Sequence, residues 1–368
     1  MNPKTPRWPA LFLIAVSAIF VPSQAIASES AAAIAAGGLV PRGQARIVIA
    51  KEVIHISDRK IVVDYDFRND GNKDVTTDLA FPIPPYKNEW DAMDPAAQSF
   101  HSFLAWVNDE PVKYETEATA EVNGNDVTKT LQARHIDIST FGHLEIGRDQ
   151  HYMVRVVAVP DFVRLSKKDQ HRLQSDGIFD RSDGFSKFTV KLQYHWAQTF
   201  PAHATVHVRQ EFAPVVGFTE LPAEGVAFQA ALLPASRRTG AMLEPAAVGS
   251  VNILDGFCAD ASFLRGMVRA QEVFAESSGS ILPHWVDFAL TSASAWNKPI
   301  EDFTLIVEVP QPEHGQQTLI SFCSPGRIER KDGDQIQVHL TNFAPTADLH
   351  IGFFNAPLEL TSQPTAMR

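Results

Sequence analysis

The sequence predicts a mainly β protein, built as an antiparallel β-sandwich with one or two short helices and two β-rich lobes. Short runs of alternating polar and apolar residues, rich in β-branched and aromatic side chains, recur along the chain. Turn-forming Asn, Asp and Gly residues separate these runs. Helical periodicity is confined to two segments, so the pattern favours a sandwich over alternating strand–helix units.

The first three strand runs are "ARIVIAKEVIHIS", "IVVDYDF" and "DVTTDLAF". An Asn-Asp-Gly-Asn cluster at 69–72 separates the last two, so the pattern predicts an antiparallel hairpin with a tight turn. A calcium loop at 69–78 is the alternative, but the segment lacks the ligand spacing of an EF-hand. Because proline has no N–H for the ladder, Pro82, Pro84 and Pro85 are expected to end the third strand at a sheet edge or corner.

Later runs continue the strand pattern on both sides of two helical segments. A short polar helix is predicted in "RLSKKDQHRLQSDGIF" and an amphipathic one in "DASFLRGMVRAQEVFAES", with Asp260 as its cap. The apolar face of the second helix is formed by Phe263, Leu264, Met267, Val268 and Phe274. The remaining predicted strands are "FLAWVNDEPVKYETEATAEV", "HYMVRVVAVPDFV", "FSKFTVKLQYHW", "HATVHVRQEFAPVVGF", "WVDFALTS", "EDFTLIVEV", "QTLISFC", "DQIQVHL" and "LHIGFF".

These elements predict a domain organisation along the chain. Small and turn-forming residues interrupt the strand pattern at 232–251, which indicates a linker or a long crossover. The predicted segments are a signal peptide at 1–27, a connecting segment at 28–45, an N-terminal β-rich lobe at 46–231, the linker at 232–251, a C-terminal β-rich lobe at 252–360 with a helix near 260–276, and a tail at 361–368.

The first 27 residues have the form of a secretory signal peptide. Lys4 and Arg7 give the positive start, "ALFLIAVSAIFV" gives the apolar stretch, and Ala25–Ala27 gives the small-residue cleavage site. No later stretch approaches the roughly 20 apolar residues of a transmembrane helix. The sequence therefore predicts a soluble exported protein in the periplasm, with an extracellular location as the alternative.

The charge balance argues against nucleic-acid binding. The chain has 32 Lys and Arg against 43 Asp and Glu, a net charge of −11, and loss of the signal peptide removes only positive charges. A basic surface that follows phosphate groups, or one that binds anionic lipid, is not indicated.

The chain has two cysteines, Cys258 and Cys323. In an oxidising compartment such a pair favours a structural disulfide. The alternative is that Cys323 is a nucleophile, which would need a free thiolate and a nearby base.

Candidate ligand-binding residues are Trp90, His195, His203 and His207. Three of them are histidines in "YHWAQTFPAHATVHV", whereas Trp90 lies in the polar stretch "YKNEWDAMD". His203 and His207 are separated by four residues of extended chain, roughly 13 Å, too far to share one metal ion without another strand. Neither a metal site nor a cofactor is therefore predicted. Ordinary strand-face histidines and buried core tryptophans are the favoured interpretation, and a metal site built across strands is the alternative.

Known enzyme signatures are missing from the sequence, so no residue is predicted to be catalytic. It contains no G-x-S-x-G elbow, no glycine-rich phosphate loop and no H-E-x-x-H. Carboxylate pairs that meet only in the fold are still compatible with acid–base chemistry.

Several long segments resemble one family of exported bacterial proteins, the domain of unknown function numbered 4424. The resemblance is carried by "GGLV", "YDFRNDGNKDVTTDLAFPIP", "WAQTFPAHATVHVRQEFAPVVG", "FALTSASAWNKPIEDFTLIVE" and "LISFCSPG". A single segment, "FRNDGNKDVTTDLAFPIPP", is also similar to the opening of vault and inter-alpha-trypsin-type sandwich domains. The resemblance implies an exported β-rich protein and no known catalytic residues.

The leading hypothesis is a non-enzymatic β-sandwich that binds an envelope protein or an envelope component, or acts as a scaffold there. Two alternatives stay open. One is a hydrolase of envelope glycans or peptides whose site forms only in the fold. The other is a carrier of a metal or small ligand that uses His195, His203 or His207.

Overall fold

The computed structural model describes residues 36–42, 47–87, 103–138, 144–145, 155–156, 160–181, 186–214, 216–218, 256–276, 281, 283–296, 298–311, 316–331 and 335–357. The described strands are β1 (Ala36–Gly37), β2 (Val40–Pro41), β3 (Val48–Ile56), β4 (Ile61–Arg68), β5 (Val75–Lys87), β6 (Leu104–Val107), β7 (Glu110–Pro111), β8 (Glu115–Val122), β9 (Asn125–Asp126), β10 (Leu144–Glu145), β11 (Arg155–Val156), β12 (Thr189–Phe200), β13 (Thr205–Phe212), β14 (Val216–Phe218), β15 (His284–Ala289), β16 (Ile300–Glu308), β17 (Gln316–Phe322), β18 (Glu329–Lys331), β19 (Gln335–Phe343) and β20 (Leu349–Pro357). The described helices are α1 (Thr128–Gln132), α2 (Pro160–Arg164), α3 (Lys167–Ser175), α4 (Ala261–Glu276) and a 3-10 helix at Leu290–Ala295.

The predicted mainly β fold is confirmed. The strands form an eight-stranded sheet in the order β18-β19-β16-β3-β4-β13-β6-β7 and a five-stranded sheet in the order β2-β5-β12-β8-β9. A second five-stranded sheet has the order β1-β15-β20-β17, with β14 beside β15, and β10 pairs with β11. Most pairs are antiparallel, although β16 runs parallel to β3 and β1 runs parallel to β15.

One hydrophobic core joins the three large sheets. Alternation along each strand directs every second side chain inward, as the buried Val206, Val208 and Phe212 of β13 show. Aromatic contacts cross from sheet to sheet, with ring centroids 5.8 Å apart for Phe67 and Phe200 and 4.8 Å for Phe81 and Phe212. The core therefore forms by packing of sheet faces, as in a sandwich.

The predicted hairpin of residues 61–81 is wrong. Strand β4 lies in the eight-stranded sheet, whereas β5 lies in a five-stranded sheet and pairs with β12. The buried side chain of Asn69 holds this crossing, because its amide nitrogen donates to the carbonyl oxygens of Lys73 and Phe200 at 2.9 Å each. Its side-chain oxygen accepts from the Gly71 N–H. The polar cluster therefore forms a corner between sheets, not a turn within one.

The expectation that the prolines end β5 is also wrong, since the strand continues to Lys87. Pro82 stands opposite Gln193 of β12. On its other side, within the described residues, β5 pairs with the two residues of β2 at Leu79 and Ala80, and the Asp78 carbonyl oxygen accepts from the Arg42 main-chain N–H. Beyond Ala80 the strand has one edge without a ladder in the described part of the chain, which is where proline is tolerated.

Helix α4 confirms the second predicted helix. Its residues Phe263, Leu264, Met267, Val268 and Phe274 pack in a second hydrophobic cluster against Trp285 and Phe354 of a five-stranded sheet. The predicted cap is also confirmed, because the Asp260 carboxylate accepts a hydrogen bond from the Phe263 N–H at 2.8 Å. None of the helices in the described ranges is long and apolar enough to cross a membrane.

We expect the Asp260→Ala variant to lose about 1 kcal/mol of unfolding free energy, because an orphan N–H at the start of α4 loses its acceptor. The Asp260→Asn variant is the matched control, since asparagine caps equally well. Urea unfolding followed by tryptophan fluorescence would measure both. Equal stability of the two variants would contradict the role of the cap.

Strands from both predicted lobes meet in the eight-stranded sheet. Leu305 of β16 stands beside Ile54 of β3. The lobe boundaries stay a prediction, and the signal peptide, the linker at 232–251 and the tail at 361–368 lie outside the described residues. Residues 36–42 of the predicted connecting segment contain β1 and β2.

Candidate functional site

Two adjoining clefts form a groove beside β17, which we call the edge groove. They have volumes of about 800 and 610 Å³ and share Val309, Pro310, Gln317 and Thr318 as lining residues. One wall is β17 itself. The opposite wall comes from the turn after β3, the end of β16 and the strands β18 and β19.

Both strands that flank the groove are terminal strands of their sheets. Within the described ranges, β17 pairs only with β20 and β18 pairs only with β19. A terminal strand presents one row of main-chain N–H and C=O groups that no ladder uses. The edge groove therefore combines a concave surface with main-chain groups able to bind an added strand.

The two ends of the groove differ in chemistry. The larger cleft is lined mainly by polar and charged residues: Ser57, Asp58, Arg59, Glu308, Gln311, Gln316, Gln335 and Asn355. The smaller cleft adds an apolar surface formed by Phe263, Leu319, Ile320, Ile328 and Ile336, with Arg330 and Asp260 among its charged residues. Ile328 is 45% exposed, which is unusual for a large aliphatic side chain in this protein. An extended ligand would thus meet amide groups at one end and an apolar patch at the other.

The predicted disulfide is confirmed and fixes one wall of the groove. Cys258 and Cys323 are bonded, and their Cα atoms lie 4.9 Å apart. Cys258 lines the smaller cleft, and Cys323 directly follows β17. Since the Ser321 hydroxyl also donates to the Phe257 carbonyl oxygen at 2.9 Å, the end of β17 is attached twice to the segment before α4.

One histidine–carboxylate contact lies at the polar end. His284 Nε2 lies 3.3 Å from the Asp58 carboxylate, which lines the larger cleft. This contact links the turn after β3 to strand β15 of another sheet. It fixes the position of a carboxylate at the mouth of the groove, where that carboxylate can bind a donor of a ligand.

The predicted site residues lie away from the edge groove. His195 is on β12 between the buried Tyr194 and Trp196, so it faces outward, and it lines a separate cleft of about 490 Å³ with Glu110 and Glu115. His203 is exposed in the turn between β12 and β13. Trp90 lies outside the described residues.

His207 is on β13, in the eight-stranded sheet. Its ring nitrogens lie 3.1 Å from Asp66 and 3.5 Å from Asp64. His195 and His207 are therefore in different sheets and do not meet. In the part of the chain that the structure describes, no three His, Cys, Asp or Glu residues form a group that could hold a metal ion. A ligand-binding role of each predicted residue stays a prediction.

Sequence reasoning missed the edge groove because a terminal strand is defined by the order of strands in a sheet. The run "QTLISFC" predicts a strand but gives no sign that one of its edges stays without a ladder. The only signal was indirect: Cys323 at the end of this run indicated that β17 is fixed to a distant segment.

The fold and the edge groove define a mainly β protein of three joined sheets, with a groove beside a strand that is terminal in its sheet as far as the structure describes the chain. The chain belongs to the family described as Domain of unknown function (DUF4424), whose model matches residues 27–351. No curated protein matches the chain.

The solved structures similar to it include the following two. One is a "putative nutrient binding protein" from Legionella pneumophila, with 15% identity, a TM-score of 0.43, and coverage of 89% of this chain and 72% of that one. The other is an M1 zinc metallopeptidase from Deinococcus radiodurans, with 9% identity and a TM-score of 0.24, covering 84% of this chain. The chain spans 43% of that metallopeptidase.

Proposed function

We propose that this protein is a non-enzymatic binding or scaffold protein of the cell envelope, exported to the periplasm, and that it binds an extended segment of a partner protein in the edge groove. The observation that carries the proposal is the edge of β17 beside a groove, an edge that has no ladder within the described residues. A partner segment would pair with β17 through its main chain and place alternate side chains in the groove. The disulfide and the signal-like first 27 residues support the location.

The lining indicates the chemistry of the segment. At the polar end Asn355 donates to the Gln316 side-chain oxygen at 3.2 Å. Asp58, Arg59 and Glu308 add charges of both signs there, so this end suits a polar segment without a strong charge preference. Leu319, Ile320 and Ile328 at the other end suit an aliphatic or aromatic anchor. We therefore expect a segment with one apolar anchor next to uncharged polar residues.

A library of random linear peptides displayed on phage tests this proposal. Selection on the wild-type protein should enrich peptides that share an apolar anchor. We expect Ile328→Asp to weaken binding of the selected peptides by at least about tenfold, because it puts a carboxylate into the apolar end. Fluorescence anisotropy with labelled synthetic peptides measures the change.

Val163→Asp is the matched control, since Val163 on α2 is 57% exposed and does not line the groove. It should leave the affinity unchanged. Peptides that bind Ile328→Asp as tightly as the wild type would contradict the site. Cleavage of a selected peptide by the purified protein would instead favour the hydrolase.

A further inference from the structure

Residues 36–42 cross between two sheets, and we call them the strap. Ala36 and Gly37 pair in parallel with Phe288 and Ala289 of β15. Val40 and Pro41 pair with β5 of the other five-stranded sheet. Only two strap residues enter each ladder, so the strap contributes little to the ladder of either sheet, although Ala36 and Leu39 are each 1% exposed.

Side chains from other elements hold the main chain in the middle of the strap. The Gly38 N–H donates to the Ser292 hydroxyl at 3.0 Å, and the Leu39 N–H to the Tyr65 hydroxyl at 3.4 Å. The indole N–H of Trp296 donates to the Leu39 carbonyl oxygen at 2.9 Å. We call Tyr65, Ala289, Ser292 and Trp296 the seat. It binds main-chain groups in the way a peptide-binding site does.

The seat admits only glycine at two consecutive positions. A Cβ atom at Gly37 would lie 2.5 Å from the Cβ of Ala289. A Cβ atom at Gly38 would lie 2.6 Å from the Tyr65 hydroxyl oxygen. Both distances are well inside van der Waals contact, so a larger residue would push the strap out of the seat. The seat therefore fits two consecutive glycines, which are followed in the strap by the buried Leu39.

Beyond the seat, Arg42 fixes the end of the strap. Its main-chain N–H donates to the Asp78 carbonyl oxygen at 2.8 Å, and its guanidinium donates to the Glu117 carboxylate at 2.8 Å. The guanidinium and Glu117 side chains are 37% and 45% exposed, so this ion pair adds little stability and can open.

We propose that the strap is a displaceable ligand of the seat and that the seat accepts the same Gly-Gly-Leu segment from a second copy of this chain. The occupant is a second copy because the seat matches this chain's own sequence, and every copy carries a matching strap. Reciprocal exchange would give a dimer in which each strap fills the partner's seat, as in domain swapping. This inference does not depend on the edge groove.

Two full-length variants separate the strap from the seat. Gly38→Ala leaves the seat intact but gives a strap that does not fit. Ala289→Leu leaves the strap intact but fills the space beside Gly37. We expect each variant alone to be a monomer in native mass spectrometry, and an equimolar mixture to form a 1:1 heterodimer. Only that combination contains a fitting strap and an open seat.

A labelled peptide with the sequence of residues 36–42 provides a second readout. It should bind Gly38→Ala, and the same peptide with Ala in place of Gly38 should bind at least about tenfold more weakly. If no heterodimer forms and the peptide does not bind, the proposal is overturned. Peptide binding without a heterodimer would overturn the second copy as the occupant.

Amide hydrogen exchange of the wild-type protein keeps the proposal testable if a variant does not fold. A displaceable strap requires the Gly38 and Leu39 amides to exchange by local opening, at least about tenfold faster than those of Ile54 and Val63 in the central strands. Equal protection at all four amides would overturn the proposal, because the strap would then leave only when the whole protein unfolds.

Discussion

Removal of the disulfide is expected to lower the free energy of unfolding by about 4 kcal/mol, because the unfolded chain then no longer bears the entropy cost of a closed loop of this length. The Cys258→Ser, Cys323→Ser double variant makes this change without leaving a free thiol. The two cysteines are 65 residues apart in sequence, so the bond constrains a long stretch of the unfolded chain. Urea unfolding of the variant and the wild type, each with and without reductant, measures the difference.

Reductant should lower the unfolding midpoint of the wild type to that of the variant and leave the variant unchanged. Ser324→Ala is the control for a change beside the bond. Because Cys258 lines the edge groove, the double variant should also bind selected peptides more weakly than Ser324→Ala does. Wild-type protein with the same midpoint in oxidised and reduced form would contradict a stabilising bond.

A change at Glu52 is expected to alter how stability depends on pH. Glu52 is 2% exposed, next to the buried Tyr65 in the core, and burial raises the pKa of its carboxyl group to about 8, although the Tyr65 hydroxyl bonded to it acts in the opposite sense. In the unfolded chain the pKa returns to its ordinary value of 4.5. The folded state therefore keeps a proton that the unfolded state loses, and this group destabilises the fold progressively as pH rises from 4.5 to 8.

We expect Glu52→Gln to be more stable than the wild type by roughly 4 kcal/mol at pH 8, with the difference vanishing towards pH 4.5. Glutamine keeps an acceptor for the Tyr65 hydroxyl and has no proton to lose. Urea unfolding at several pH values measures the difference.

Glu301→Gln is a control whose effect on the free energy of unfolding should depend on pH in the opposite direction. The hydrogen bond from Arg68 lowers the pKa of the Glu301 carboxyl group, so that group stabilises the fold at neutral pH and loses its contribution in acid. Parallel stability profiles of Glu52→Gln and the wild type between pH 5 and pH 8 would show that the buried carboxyl group does not titrate as inferred.

Local patterns in the sequence predicted the elements that depend on local physics. The spacing from Phe263 to Phe274 gave the buried face of α4, and Asp260 marked its start, because a helix repeats every 3.6 residues and needs an acceptor at its N-terminus. The alternation in "HATVHVRQEF" gave the buried and exposed faces of β13 for the same reason.

Features that depend on how sheets are ordered could not be predicted in this way. The hairpin prediction was wrong because a chain that turns at Asn69 can either pair with itself or cross to another sheet, and the residues at 69–72 suit both. The crossing is selected by the Phe200 carbonyl oxygen, which comes from a strand more than a hundred residues away and accepts from Asn69. The edge groove and the strap likewise depend on long-range neighbours.

The parallel pairing of β16 with β3 has a consequence for how the chain folds. Ile54 and Leu305 are neighbours in the sheet although about 250 residues separate them, and such non-local pairings form slowly. During synthesis from the N-terminus, β3 is complete long before β16 exists. Until then, the edge of β3 that later pairs with β16 has no partner strand. An incomplete chain that stops before residue 300 would keep that edge of β3 without its partner strand. We therefore expect such a chain to aggregate and not to fold into a smaller stable protein.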